Sequence, residues 1–129
     1  MHIIESASLR RSADAALTEF EGRPFGSGVS FIMVSSDVPG VGPDLHQHPY
    51  PETFLIRSGR ARFTVRDEHI IGVGGQIIVV PAFTPHKFEI IGPERLEMID
   101  MHANDTFITE WLDGPRANPQ ESSKASGIA

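Results

Sequence analysis

The chain contains no cysteine. Disulfides and thiolate metal sites are both excluded, and the absence fits a reducing cytosol. Basic residues are scarce: 11 Lys and Arg stand against 17 Asp and Glu, giving a formal net charge of −6. Nucleic-acid binding rests on Lys and Arg neutralising phosphates, so no nucleic acid is expected as a partner. No apolar run approaches the roughly 20 residues of a membrane helix, so no membrane role is expected. Met1 to Ser6 lack the positive region and apolar stretch of a secretory signal. The expectation is a cytoplasmic protein. A glycine-rich phosphate loop and internal repeats are also missing. With one Trp and one Tyr beside eight Phe, the core is expected to be built on Phe, Ile and Val.

What is present suits one globular domain. The 129 residues are 40% hydrophobic and 22% charged, enough to bury a core without covalent staples. Residues 1–28 are expected to form an N-terminal arm on a barrel of residues 29–113, and 114–129 a polar tail. Within the arm, Ser12 to Phe20 suits either a short helix or an extended segment. From Val29 the pattern is β, with short strands punctuated by Gly and Pro. Val29–Ser35, Glu52–Arg57, Arg60–Arg66, His69–Val73, Gln76–Val80, His86–Ile91 and Arg95–His102 are the expected strands. Ala61, Phe63 and Val65 alternate with polar neighbours, the period of a half-buried strand. Gln76–Val80 is nearly continuous in apolar residues, as expected where both faces are covered. Phe107–Leu112 suits one helical turn or a closing strand. Such a series predicts an all-β sandwich or barrel.

Four residues carry the chemistry. His46 and His48 are two apart, so on an extended strand they emerge on one side, about 7 Å apart at Cα. From there both rings can converge on one ion about 2 Å from each nitrogen. Pro49-Tyr50-Pro51 gives a stiff bend, after which Glu52 restarts a strand on the inner face. His86 shares a strand face with Phe88 and Ile90, an otherwise apolar interior. An unpaired glutamate inside a barrel is costly, whereas a divalent cation neutralises it and uses the lone pairs of three imidazoles.

These residues resemble the cupin superfamily. Gly40 to Gly59, GVGPDLHQHPYPETFLIRSG, matches the first cupin motif at every fixed position. Gly75 to Ile90, GQIIVVPAFTPHKFEI, is similar to the second at Gly75, Pro81 and His86, with Phe83 in place of Gly and Ile90 in place of Asn. The resemblance implies a single-domain jelly-roll β-barrel of six to eight strands, a homodimer, and metal ligation by His46, His48, Glu52 and His86.

The ligand set does not choose among Fe, Mn, Ni, Zn and Cu. Two chemistries follow on a small organic substrate: dioxygenase chemistry, or Lewis-acid catalysis by an isomerase or lyase. A non-catalytic binding or sensing barrel is the alternative, and a barrel with vestigial ligands the third. His102 is the candidate catalytic group, as a hydrogen-bond partner behind the ligands or a proton carrier; a polar strand end is the plainer reading. Tyr50, Phe54, Ile56, Phe63, Phe88 and Met98 are candidates to line the pocket; ordinary core is the plainer reading of the last five, and an exposed ring is the alternative for Tyr50.

Overall fold

The computed structural model describes residues 1–112; the expected tail, and the last residue of the expected barrel span, lie outside the described residues. Eleven strands follow one another: β1 Arg10–Arg11, β2 Leu17–Phe20, β3 Ser30–Ser36, β4 His46–Gln47, β5 Glu52–Ser58, β6 Arg60–Val65, β7 Glu68–Val73, β8 Ile77–Val80, β9 His86–Ile90, β10 Leu96–His102 and β11 Glu110–Trp111. They form two antiparallel sheets, one ordered β1-β2-β3-β10-β5-β8 and the other β11-β4-β9-β6-β7. The architecture is an all-β jelly roll. No helix of the described residues is long and apolar enough to cross a membrane.

Both segments left open by the sequence are extended. Between β1 and β2, the Asp14 carboxylate accepts from the Ser12 hydroxyl at 2.6 Å and the Ala16 amide at 3.1 Å. The Ser12 hydroxyl in turn accepts from the Leu17 amide at 3.1 Å. These short polar side chains satisfy the turn's backbone locally and outcompete a helix. In the last described segment, Glu110 and Trp111 pair with Gln47 and His46, so β11 closes the sheet.

Period-two burial places one apolar face of each sheet against the other. Ile32, Val34, Phe54, Ile56, Ala61, Phe63, Phe88, Ile90, Leu96 and Met98 meet in the core. Gly59 turns β5 into β6 at φ +79°, and a Cβ there would stand 2.5 Å from the Arg95 carbonyl oxygen. Only glycine meets both demands.

Strand register then sorts the interior into layers. In the larger sheet Val34, Met98 and Ile56 form one row; Ile32, Asp100 and Phe54 the next; Ser30, His102 and Glu52 the last. In the facing sheet His46 pairs with His86, while Phe63–Phe88 and Ala61–Ile90 lie further in. The barrel is thus apolar along most of its length and polar at one end.

The expectation that Gln76–Val80 is covered on both faces is corrected. Ile77 is 64% and Val79 61% exposed. The reason is position: β8 edges the larger sheet, and its odd residues point away from the core.

Glu19 on β2 shares the inward face with Leu17. Burial pushes its carboxyl up to about 7, Arg10 pulls it back and Glu21 adds to the rise. Its folded-state pKa therefore lies above the unfolded one, so its contribution to stability is complete below the unfolded value and lost as pH rises through the folded one. Wild-type stability relative to Glu19→Gln is expected to fall between pH about 4.5 and 7 and then level off. Urea unfolding of both proteins across that range checks it; a pH-independent difference would refute the assignment.

Candidate metal centre

The polar end of the barrel is assembled from both sheets. His46 opens β4, and His48 lies just beyond it with the same parity. Pro49 to Pro51 turn the chain so that Glu52 opens β5, and His86 opens β9. All four side chains are buried, and their ligand atoms lie within 4.8 Å of one another. Expected from separate stretches of sequence, they meet in one group that could hold a metal ion.

Hydrogen bonding fixes how each ring presents itself. The Nδ1–H of His46 donates to the Asp44 carbonyl at 2.7 Å, that of His48 to the Ile108 carbonyl at 2.8 Å, and that of His86 to the Thr84 carbonyl at 2.8 Å. With Nδ1 committed to a carbonyl, each ring turns its Nε2 inward, the atom it would offer to an ion. Glu52 Oε1 lies 2.8 Å from His86 Nε2 and 3.0 Å from His48 Nε2. Lone pairs do not sit so close unless a proton or a cation lies among them. Backbone carbonyls that orient the remote nitrogen are what imidazole metal ligands require.

The electrostatics are consistent with that need. Burial pushes His46 down to about 3, helped by the nearby His86, so its ring is neutral at ordinary pH. Against the opposing effect of burial, the hydrogen bond and charge of Glu52 raise His86. Glu52 is itself held well below the usual carboxylate range, because His102, His48 and His86 outweigh its burial. Asp100, one row further in, behaves oppositely: burial and the charge of Glu52 push it well above its ordinary value. Its Oδ1 has no hydrogen-bond partner.

His102 lies in this centre, fully buried, with Nε2 3.2 Å from Glu52 Oε2. Tyr50 is buried too, and its hydroxyl meets His102 Nδ1 at 2.7 Å. That contact went unread in the sequence, although the inward parity of His102 on its strand was the available signal. The pairing of ligand rings with the carbonyls of Asp44, Thr84 and Ile108 had no signal at all. Phe54, Ile56, Phe63, Phe88 and Met98 sit in the packed core. A cavity of about 170 Å³ adjoins the centre instead, lined by Gln47, His48, Pro49, Phe83, Ile108, Thr109 and Glu110. His2 packs edge-on against Phe25, and His69 pairs with the Thr64 hydroxyl, both apart from this group. The Trp111 ring lies 5.3 Å from that of His46.

Phe83 takes the conformation that the glycine of the second motif would supply. Its φ is +57°, and its amide donates to the His48 carbonyl at 2.7 Å. A side chain in this region costs about 1–2 kcal/mol, and Phe83 is 61% exposed, so little packing offsets it. Phe83→Gly is expected to raise stability by about 0.5–1 kcal/mol after the greater unfolded-state freedom of glycine is subtracted. Chemical denaturation measures this; a loss of stability would mean that the ring packs in solution.

Comparison with known proteins adds three findings. A family model described as a cupin domain matches residues 33–102, more than half of the chain. No curated protein sequence is similar enough to count as a relative. Many solved structures share the fold, among them oxalate decarboxylases. A Bacillus subtilis oxalate decarboxylase mutant is 25% identical with a TM-score of 0.64, over 74% of this chain and 27% of its own. The same organism's enzyme, studied for its Mn(II) centres, is 23% identical with a TM-score of 0.66, over 80% and 30%. The Lactobacillus farciminis enzyme in a formate complex is 21% identical with a TM-score of 0.72, over 95% and 40%. The chain spans well under half the length of these proteins.

Proposed function

The chain belongs to the cupin family, and from that premise we propose a metal-dependent enzyme acting on a small organic molecule, with one divalent transition metal on His46, His48, Glu52 and His86. The observation behind this reading is the hydrogen bonding of the three rings. Each has Nδ1 on a backbone carbonyl, which leaves Nε2 for a group whose ligand atoms, Glu52 included, lie within 4.8 Å of one another. If an ion held by these four residues were octahedral, two positions would be left for a substrate or O₂. When bound, a redox-active ion supplies dioxygenase chemistry, and any of the divalent ions supplies Lewis-acid polarisation for isomerase or lyase chemistry.

The residues of the chain would bind and select. The cavity beside His48 is small and carries two exposed apolar side chains, Phe83 and Ile108. Among the described residues no Lys or Arg lines it, and the one carboxylate there is that of Glu110, which accepts from the Gln47 amide at 2.8 Å. A small dianion such as oxalate would find positive charge only in the ion itself, with the Glu110 carboxylate opposing it among the described residues. A neutral, partly apolar substrate fits the lining better.

Purified protein is expected to contain about one ion per chain, removable by a chelator and restored from Fe(II), Mn(II), Ni(II), Zn(II) or Cu(II). His86→Ala and Glu52→Ala should weaken binding by more than about 100-fold, beyond what loss of a partner behind the ligands does. Elemental analysis and chelator competition read this. Oxygen uptake by the iron form against catechols, flavonols, β-diketones and thiols reads turnover. A loaded protein inert across that panel would favour a binding or sensing barrel; a wild-type chain with no metal would overturn the reading altogether.

A second copy of the chain is the proposed partner for the outer face of the larger sheet. Ile77, Leu55, Ile99 and Met33 stand in one register row there, beside Val79, Thr53, Met101 and Phe31 in the next. A continuous apolar face of this kind on a sheet calls for cover. Sedimentation is expected to give a dimer, and Ile77→Glu with Val79→Lys to give a monomer that keeps its metal.

A further inference from the structure

Glu52 is surrounded by four buried imidazoles, and one of them is wired differently from the rest. His46, His48 and His86 each place Nδ1 on a backbone carbonyl. His102 places Nδ1 on the Tyr50 hydroxyl, at 2.7 Å. That hydroxyl already accepts the Ile108 amide proton at 3.1 Å. A hydroxyl has a single proton to give, and here His102 Nδ1 is the acceptor within reach. Nδ1 of His102 is therefore an acceptor, which leaves the ring N–H on Nε2. This nitrogen is buried, makes no hydrogen bond of good geometry, and has Glu52 Oε2 as its neighbour at 3.2 Å.

The other carboxylate oxygen, Oε1, is the one that the His48 and His86 nitrogens face. The two oxygens thus meet different partners: the inward nitrogens of His48 and His86 on one side, the Nε2–H of His102 on the other. We propose that Tyr50 and His102 are positioning residues that hold Glu52 Oε2 by an N–H, so that the carboxylate offers only Oε1 to the ion. His102, although an imidazole in the centre, is then excluded as a ligand by its tautomer. Tyr50 sets that tautomer because the Ile108 amide has committed its oxygen as an acceptor. The consequence for the site is a one-oxygen glutamate, which keeps two coordination positions open. A glutamate free to swing would close one of them with its second oxygen.

This inference rests on the metal reading above, and the test separates the two. In metal-free full-length protein, nitrogen NMR of the histidine rings reports tautomers directly. His102 is expected to carry its proton on Nε2 with Nδ1 bare, the reverse of His46, whose Nδ1–H is held by the Asp44 carbonyl; His102→Gln identifies the His102 signals by their loss. In the metal-loaded protein, pulsed EPR of the Cu(II) form counts coordinated imidazole nitrogens. Three are expected in wild type and in His102→Gln. Tyr50→Phe and His102→Leu should weaken Mn(II) affinity by about 10–100-fold and change the Mn(II) EPR spectrum. His102→Gln should restore most of both, because its amide N–H can stand where the ring N–H stood. A proton on His102 Nδ1, four coordinated imidazoles, or a His102→Leu protein with unaltered affinity and spectrum would each overturn the proposal. A wild-type chain that takes up no metal would instead overturn the metal reading, and the NMR result alone would then decide whether His102 donates to Glu52.

Discussion

The negative charge of Glu52, sealed inside the end of an otherwise apolar barrel, is the constraint on which the rest of this structure depends. An ionised carboxylate taken out of water costs several kcal/mol unless positive charge or donors replace the lost hydration. Every unusual feature of the centre answers that cost. Four imidazoles surround the group, and three are aimed by main-chain carbonyls rather than by mobile side chains. Asp100, which has no such company, is driven toward its neutral form by burial and by the very charge that the imidazoles stabilise. Two inward carboxyls one row apart are thus pushed in opposite directions, a difference set by partners and not by depth.

Layering makes this affordable to the fold. A buried Phe, Ile or Leu side chain contributes about 1.5–3 kcal/mol relative to exposure. The apolar rows around Phe54, Ile56, Phe63, Phe88 and Met98 supply many such contributions, enough to offset one expensive layer at the mouth. The residues that resembled a pocket lining on sequence grounds are therefore the foundation beneath the centre. The polar residues gather at the strand ends His46, Glu52, His86 and His102, where loops can bring substrate and where errors in packing are least costly.

The sequence made the β architecture and the four-residue cluster legible because both rest on short-range rules. Alternation told which side of β5, β9 and β10 faces inward, and two-residue spacing placed His46 and His48 together. Three things stayed out of reach. Whether Ser12–Phe20 folds as helix or strand depended on side-chain contacts within a turn. The exposure of Ile77 and Val79 depended on β8 being an edge, which is a property of sheet order and not of the segment. The Tyr50–His102 pair joins residues on β10 and a proline-rich bend far apart in the chain, and no local period reports such a meeting. Phe83 shows the reverse case: a departure from the family pattern was visible, yet the backbone adopts the glycine conformation regardless.

One residue joins both halves of the centre. Ile108 gives its N–H to Tyr50 and its carbonyl to His48, so the two peptide groups flanking a single Cα set both a ligand ring and the partner behind Glu52. It lies beyond β4, β5, β9 and β10, the strands that carry the centre, just ahead of β11. During synthesis, the barrel walls can therefore emerge and begin to pair while His48 and Tyr50 remain unset. The centre matures only after this late segment has docked, and a protease cut between Phe107 and Glu110 would loosen the ligand geometry while leaving the sheets standing.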